Sequence, residues 1–150
     1  MNLFSRRGFC KTAYTAAALH WFFPLLAKAG WSLEYFQQSQ LPTILTSLSN
    51  GKTISPSDQI QIDAPDSIGD GSSVRVEITS QLPGVSRISL LVKDNPLPLC
   101  CYAFLSSFGT PYLATSIKMS QSSVLIALLE TDQGFFSQEK SVTVTLGGCD

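Results

Sequence analysis

Histidine is almost missing from this chain: His20 is the only one among 150 residues. It falls in a stretch that reads as a removable leader, so the rest of the protein lacks both the commonest metal ligand and the commonest general base. A Ser-His-Asp or Cys-His site within the chain is thereby excluded, and no zinc-type ligand spacing is present. Glycine-rich phosphate loops and dinucleotide fingerprints are absent as well. The sequence therefore implies no cofactor and no metal. Charge is sparse, with Asp, Glu, Lys and Arg making up 14% of the residues. No basic cluster stands out, and no internal repeat or low-complexity tract is found.

What is there begins with MNLFSRRGFCKTAYTAAALHWFFPLLAKAG. A basic start, an apolar stretch from about Thr12 to Ala27 and the small-x-small triplet Ala27, Lys28, Ala29 make a cleavable export signal over residues 1–29. As a membrane span the apolar stretch is short of the roughly 20 residues a bilayer needs, and His20 and Pro24 interrupt it. Ser5, Arg6, Arg7, Phe9 and Lys11 stand at the offsets of a twin-arginine export motif, with Cys10 where leucine is usual. The expected destination is the periplasm, with the cargo exported already folded. Cleavage after Ala29 leaves about 120 residues, enough for one domain with a single core. Six of the ten basic residues and all eleven acidic ones remain, a net charge of about −5. Such a surface repels phosphate backbones, so nucleic acid is not an expected partner.

Residues 30–53 read as a helical segment. Leu41, Ile44, Leu45 and Leu48 have helical spacing, a break is expected near Pro42, and Asn50-Gly51 ends the run. The pattern then changes period. QIQID, SVRVEITS, RISLLVKD, LCCYAFLS, YLATSIKM, SVLIALLE and FFSQEKSVTVTL are short runs rich in β-branched and aromatic residues, separated by Pro, Gly, Asn and Asp turn signals. About seven strands at this spacing predict an all-β domain over residues 54–146, an immunoglobulin-like antiparallel β-sandwich.

The cysteines sharpen the functional question. Cys10 leaves with the leader, and Cys100, Cys101 and Cys149 remain in an expected oxidising compartment. An odd count leaves at least one thiol unpaired or bonded to another molecule. Cys100 and Cys101 are neighbours in a strand-like run, where successive side chains point to opposite faces, so one or both are expected to act as small buried apolar residues rather than as a disulfide. Cys149 differs. In SVTVTLGGCD, Val142, Val144 and Leu146 share one face of a strand and Thr143 and Thr145 the other. Gly147 and Gly148 then release the backbone from that register, since glycine has no side chain to pack and accepts positive φ. The result is a thiol on a short swivel arm over residues 147–150.

These residues resemble a known family. LGGCD, preceded by IDAPDSIGDGSSVRVEIT, the LPGV turn, LLVKDNPLPL and IKMSQSS, is similar to the sulfur-oxidation carrier subunit SoxY, over roughly Ile54 to Cys149. The resemblance implies an immunoglobulin-like domain that pairs with a second small sandwich subunit, SoxZ. It implies a covalent carrier, not an enzyme, with Cys149 as the attachment point for thiosulfate-derived sulfur and Gly147 and Gly148 as the swivel. It also implies visiting enzymes: a c-type cytochrome that conjugates thiosulfate to the thiol, a thiohydrolase that releases sulfate and, in some organisms, a sulfane dehydrogenase. With no cofactor to load, folded export would serve a partner subunit that lacks its own signal.

Two positions depart from the family pattern. Cys100 and Cys101 stand where alanine and serine are common, and Asp150 stands where the arm usually continues with glycine. A free cysteine titrates near 8.5, so only a few per cent is thiolate at neutral pH. The carboxylates of Asp150 and of the chain end disfavour thiolate further, and the basic residue nearest in sequence is Lys140. The thiol is thus expected to be inert until it enters a cationic partner cleft. Two other readings use the same residues: a sulfurtransferase with Cys149 as its own nucleophile, and an immunoglobulin-like scaffolding module with an incidental terminal cysteine.

Overall fold

The computed structural model describes residues 33–106 and 109–145. Two short helices come first, α1 (Leu33–Gln37) and α2 (Leu41–Leu48). Nine strands follow among the described residues: β1 (Ile54–Pro56), β2 (Ile60–Asp63), β3 (Ser67–Ile68), β4 (Val74–Ser80), β5 (Val85–Val92), β6 (Leu99–Phe104), β7 (Tyr112–Ile117), β8 (Ser123–Thr131) and β9 (Gly134–Val144). The larger sheet runs β1-β9-β8-β5-β6, with β3 also on β9, and the smaller runs β2-β4-β7. All seven strand-like runs of the sequence form strands. The two others, β1 and β3, are only three and two residues long, too short to show a period. They also depart from a purely antiparallel plan, because both pair with β9 in parallel, β1 along Phe135–Ser137 and β3 along Thr143–Val144.

The sandwich core lies between the sheets. Ile88, Leu90 and Val92 of β5 and Leu125, Ala127 and Leu129 of β8 face Ile60, Val74, Val76 and Ile78 of the smaller sheet. Alternation alone would expose the other face of β5 and β8, yet both strands are buried on two sides. Helix α2 supplies the cover. Ile44 and Leu48 are fully buried against Leu91, Leu99, Ile126, Leu128 and Phe135, worth about 1.5 to 3 kcal/mol for each such side chain. Arg87 fixes the end of that helix. Its guanidinium donates to the Leu48 carbonyl at 2.6 Å and pairs with Glu130 at 2.9 Å, placing a cation where the helix dipole is negative. Asn50 (φ 52°) and Gly51 (φ 71°) then turn the chain out of the helix.

The helix is broken near Pro42, as the sequence leads one to expect, though not at that residue itself. The break falls at residues 38–40, and Pro42 sits in the first turn of α2. A proline there forgoes no hydrogen bond, because the first N–H groups of a helix have no partner within it.

Candidate functional site

Strand β9 carries the chain toward its last residues, and its end is held from both sides. On one side the backbone N–H of Thr143 donates to the Asp66 carbonyl at 2.9 Å and that of Thr145 to the Ile68 carbonyl at 2.8 Å; the Thr145 hydroxyl donates to the same Ile68 oxygen at 3.1 Å. On the other side the Ser122 hydroxyl accepts from the Val144 N–H at 2.9 Å and reaches the Val144 carbonyl at 3.4 Å. The strand is therefore anchored up to Thr145. Val142 is buried, Val144 half-buried, and Thr143 and Thr145 exposed, as the alternation in SVTVT predicts.

Three turns close around this end of the sandwich and are tied to one another. Asn95, in the β5–β6 turn, donates to the Lys118 carbonyl at 2.7 Å and accepts at its Oδ1 from the Ser120 N–H (3.1 Å) and hydroxyl (3.2 Å). Asp94 and Ser123 bond reciprocally, N–H to Oγ at 3.0 Å and Oγ–H to carboxylate at 2.9 Å. The Met119 N–H donates to the Gly71 carbonyl at 2.8 Å. That approach needs glycine, since a Cβ on residue 71 would lie 2.1 Å from the Met119 carbonyl oxygen. Asp70 shapes the same turn by accepting from the Ser72 hydroxyl (2.7 Å) and N–H (2.8 Å). These two bonds, and more weakly the charge of Lys118, hold its carboxyl below the ordinary value.

Inside this frame is an open cleft of about 510 Å³. Gly71, Pro96, Met119 and Val144 supply its apolar walls, and Lys118 and Asp70 stand at its charged rim. Lys118 is exposed and makes no ion pair among the described residues. Sequence reasoning misses it, because it is remote from the tail along the chain. The IKMSQSS run that contains it enters only as part of a family resemblance. Lys140, the cation nearest the tail in sequence, is engaged elsewhere: it pairs with Asp66 at 2.8 Å, and that bond holds the Asp66 carboxyl below its usual value.

The two mid-chain cysteines are placed differently from the expectation that they face opposite ways. Leu90 pairs with Cys101 and Leu91 with Leu99, so the register steps by one and Cys100 is an extra residue on β6. Such a bulge cancels the strict alternation. Both cysteines pack against the sandwich core, half-buried, and both are free thiols. Burial is the main cause that pushes Cys100 up to about 11, with Cys101 beside it adding to the shift. Burial pushes Cys101 upward as well. Thiols so placed are poor nucleophiles, in keeping with the small apolar role expected of them.

The export-signal arginines Arg6 and Arg7 lie outside the described residues, as do Gly147, Gly148, Cys149 and Asp150. Among the described residues there is no group of three or more His, Cys, Asp and Glu able to hold a metal ion.

A family model described as "Sulfur oxidation protein SoxY" matches residues 45–149. This chain belongs to the SoxY family. The match takes in both sheets and runs through Gly147 and Gly148 to Cys149. Solved structures agree on the fold. The sulfur carrier protein SoxY from Chlorobium limicola f thiosulfatophilum aligns with a TM-score of 0.67 at 22% identity, over 72% of this chain and 98% of that one. A superoxide reductase (neelaredoxin) from Ignicoccus hospitalis aligns with a TM-score of 0.54 at 15% identity, over 61% of this chain and 94% of that one. The second likeness concerns the sandwich alone. No curated protein matches the chain. Membership of the family brings the partners of the sulfur-oxidation system, such as SoxZ, into consideration.

Proposed function

We propose that this SoxY-family protein is a periplasmic sulfur carrier, with thiosulfate-derived sulfur bound covalently to Cys149 and worked on by visiting enzymes. The observation that carries the reading is the anchorage of β9 up to Thr145, because the Gly-Gly-Cys sequence begins two residues later. A fixed root followed by two glycines is what a swinging thiol requires. From Thr145 to Cys149 the chain can extend about 13 to 14 Å, at 3.3 to 3.6 Å per residue. That length lets the sulfur enter a cleft too narrow for the sandwich.

In the loading step the Cys149 sulfur bonds to the outer sulfur of thiosulfate. The thiol proton is released, and a pair of electrons passes to a c-type cytochrome partner. The product is an S-thiosulfonate. A thiohydrolase then adds water across its sulfur–sulfonate bond, releasing sulfate and a proton and leaving a persulfide on Cys149. A sulfane dehydrogenase, in organisms that have one, would oxidise that persulfide further. The described part of the carrier contributes position rather than chemistry, which is why no base or oxyanion donor needs to accompany the thiol.

A SoxZ-like subunit is the proposed permanent partner. The edges of β6 and β7 support a subunit contact, since neither strand carries a charged residue and Phe104 and Tyr112 are 62% and 47% exposed. Twin-arginine export through Arg6 and Arg7 would bring such a partner across already folded. Mass spectrometry of the protein purified from thiosulfate-grown cells tests the carrier reading. A thiosulfonate or persulfide mass on Cys149 is expected; an unmodified Cys149 under all growth conditions would sink it. Unimpaired thiosulfate oxidation after deletion of residues 147–150 would point to the scaffolding role instead.

A further inference from the structure

We infer that Cys100 and Cys101 together form a chelating site for a trivalent arsenical, an electrophile that takes two thiols at one arsenic atom. The inference is independent of the carrier reading, since it uses neither the end of the chain nor thiosulfate. Three observations carry it.

Placement comes first. Along β6, Leu99 and Tyr102 pack in the apolar cluster beneath α2, on the outer face of the larger sheet, whereas Cys100 and Cys101 both pack against the sandwich core. Neighbours in a regular strand point to opposite faces. These two share a face because Cys100 is the extra residue of the bulge opposite Leu90. The fold therefore sets two thiols side by side.

The pair is also available. Both thiols are free and half-buried, and β6 pairs only with β5 among the described residues, so its open edge gives a small reagent access. The Cys100 thiol donates a long bond to the Pro98 carbonyl, at 3.7 Å, which a ligand can displace. Closing on each other is a poor alternative. The peptide between the two residues is trans, which sets their Cα atoms about 3.8 Å apart, against the roughly 4.4 to 6.8 Å across a disulfide. An arsenic atom between the two sulfurs lengthens the bridge and relieves that mismatch.

The surroundings select the ligand. Strand β6 carries no charged residue, the core beside the thiols is apolar, and burial makes both thiols hold their protons. Two thiolates around a monovalent soft ion such as Cu(I) would leave a net negative charge here, which is unfavourable. An organic arsenous acid, R–As(OH)2, avoids this. Two S–As bonds form and two As–O bonds break, and each thiol proton leaves with a hydroxide as water. Arsenic stays trivalent, no electrons are transferred, and the product is neutral.

The test treats the reduced full chain with phenylarsine oxide in four forms: wild type, Cys149→Ser, Cys100→Ala and Cys101→Ala. Excess 2-mercaptoethanol removes arsenic held by one thiol. Intact mass is expected to show one arsenical on wild type and on Cys149→Ser, and its loss in both alanine variants. A bare wild type overturns the inference, and so does an arsenical retained by either alanine variant. Adjacent cysteines in an unfolded chain can bind the same reagent, so the second measurement is the urea midpoint. A ligand that prefers the folded pair raises it. A rise is expected in wild type and Cys149→Ser; a wild-type midpoint that stays or falls overturns the claim that the bulge builds the site. That readout decides the matter even where an alanine variant fails to fold.

Discussion

Two regions of this SoxY-family chain carry Cys100, Cys101 and Cys149, and they differ in how the strand that bears or precedes the cysteine is held. On β6 a bulge turns Cys100 and Cys101 toward the sandwich core, and burial raises the proton affinity of both. At the other region a strand is pinned up to Thr145, and the sequence then provides two glycines and Cys149. On the carrier reading proposed above, surroundings rather than residue type decide which thiol does chemistry. A thiol packed on a core is partly shielded from oxidants and other chains. A carrier thiol must be reachable, which a position in sequence beyond the anchored end of a strand would serve.

The strongest way to break the comparison is to remove one sulfur at a time. We predict that the wild type shows a sulfur adduct by intact mass and forms a disulfide-linked dimer on a non-reducing gel, and that Cys149→Ser abolishes both. Cys100→Ser and Cys101→Ser are predicted to leave both in place. An adduct or dimer that survives Cys149→Ser would show that the β6 thiols are reactive after all.

Stability should follow the opposite order. Gly71→Ala forces a Cβ against the Met119 backbone carbonyl, where no flexible side chain can yield, so a loss of about 1 to 3 kcal/mol is expected. Urea denaturation measures it, and because Gly71 lines the cleft, the spectra of the rim should change with it. Cys101→Ser exchanges a half-buried thiol for a hydroxyl beside the core, at a cost of about 1 to 2 kcal/mol. A neutral Gly71→Ala would mean that the turns at this end of the sandwich are not rigidly tied.

Much of this was legible along the chain, and the parts that were not share a cause. Strands with a clear period of two, such as Val74–Ser80 and Tyr112–Ile117, were visible as runs, and so were the apolar face of α2 and its stop at Asn50-Gly51. β1 and β3 were not, since two or three residues next to proline or aspartate hold no period, and they become strands only because β9 offers an edge. The outer face of the larger sheet was misleading too. Leu91, Ile126 and Leu128 make β5 and β8 apolar on both sides, and only the position of α2 explains why. The bulge at Cys100 needs a partner strand to exist at all. At the candidate site the proposed swivel is one contiguous stretch that lies outside the described residues, whereas Lys118 and the cleft arise from turns more than twenty residues apart. Contiguous signals can be read; those assembled by folding cannot.

The smallest expected effect sharpens the comparison through pH. Cys100 keeps its proton up to about 11 in the folded chain, against 9.0 for the same thiol unperturbed, the upper end of the range of about 8 to 9 for free cysteine. Below pH 9.0 the thiol is protonated in both states, and its contribution to stability is fully present. Between 9.0 and about 11 the unfolded chain gives up the proton while the folded chain holds it, so stability falls as pH rises, and above that window the contribution is gone. Discounted for the partial exposure of the thiol, the change amounts to about 1 kcal/mol. Lysines and tyrosines titrate in the same window, so the measurement must be a difference between wild type and Cys100→Ser, which share every other group. Their gap in unfolding free energy, taken at about pH 8 and again at about pH 10.5, should move against the wild type. A gap that stays constant would mean that Cys100 meets solvent as freely as a thiol on an open arm, and the contrast between the two regions would lose its physical basis.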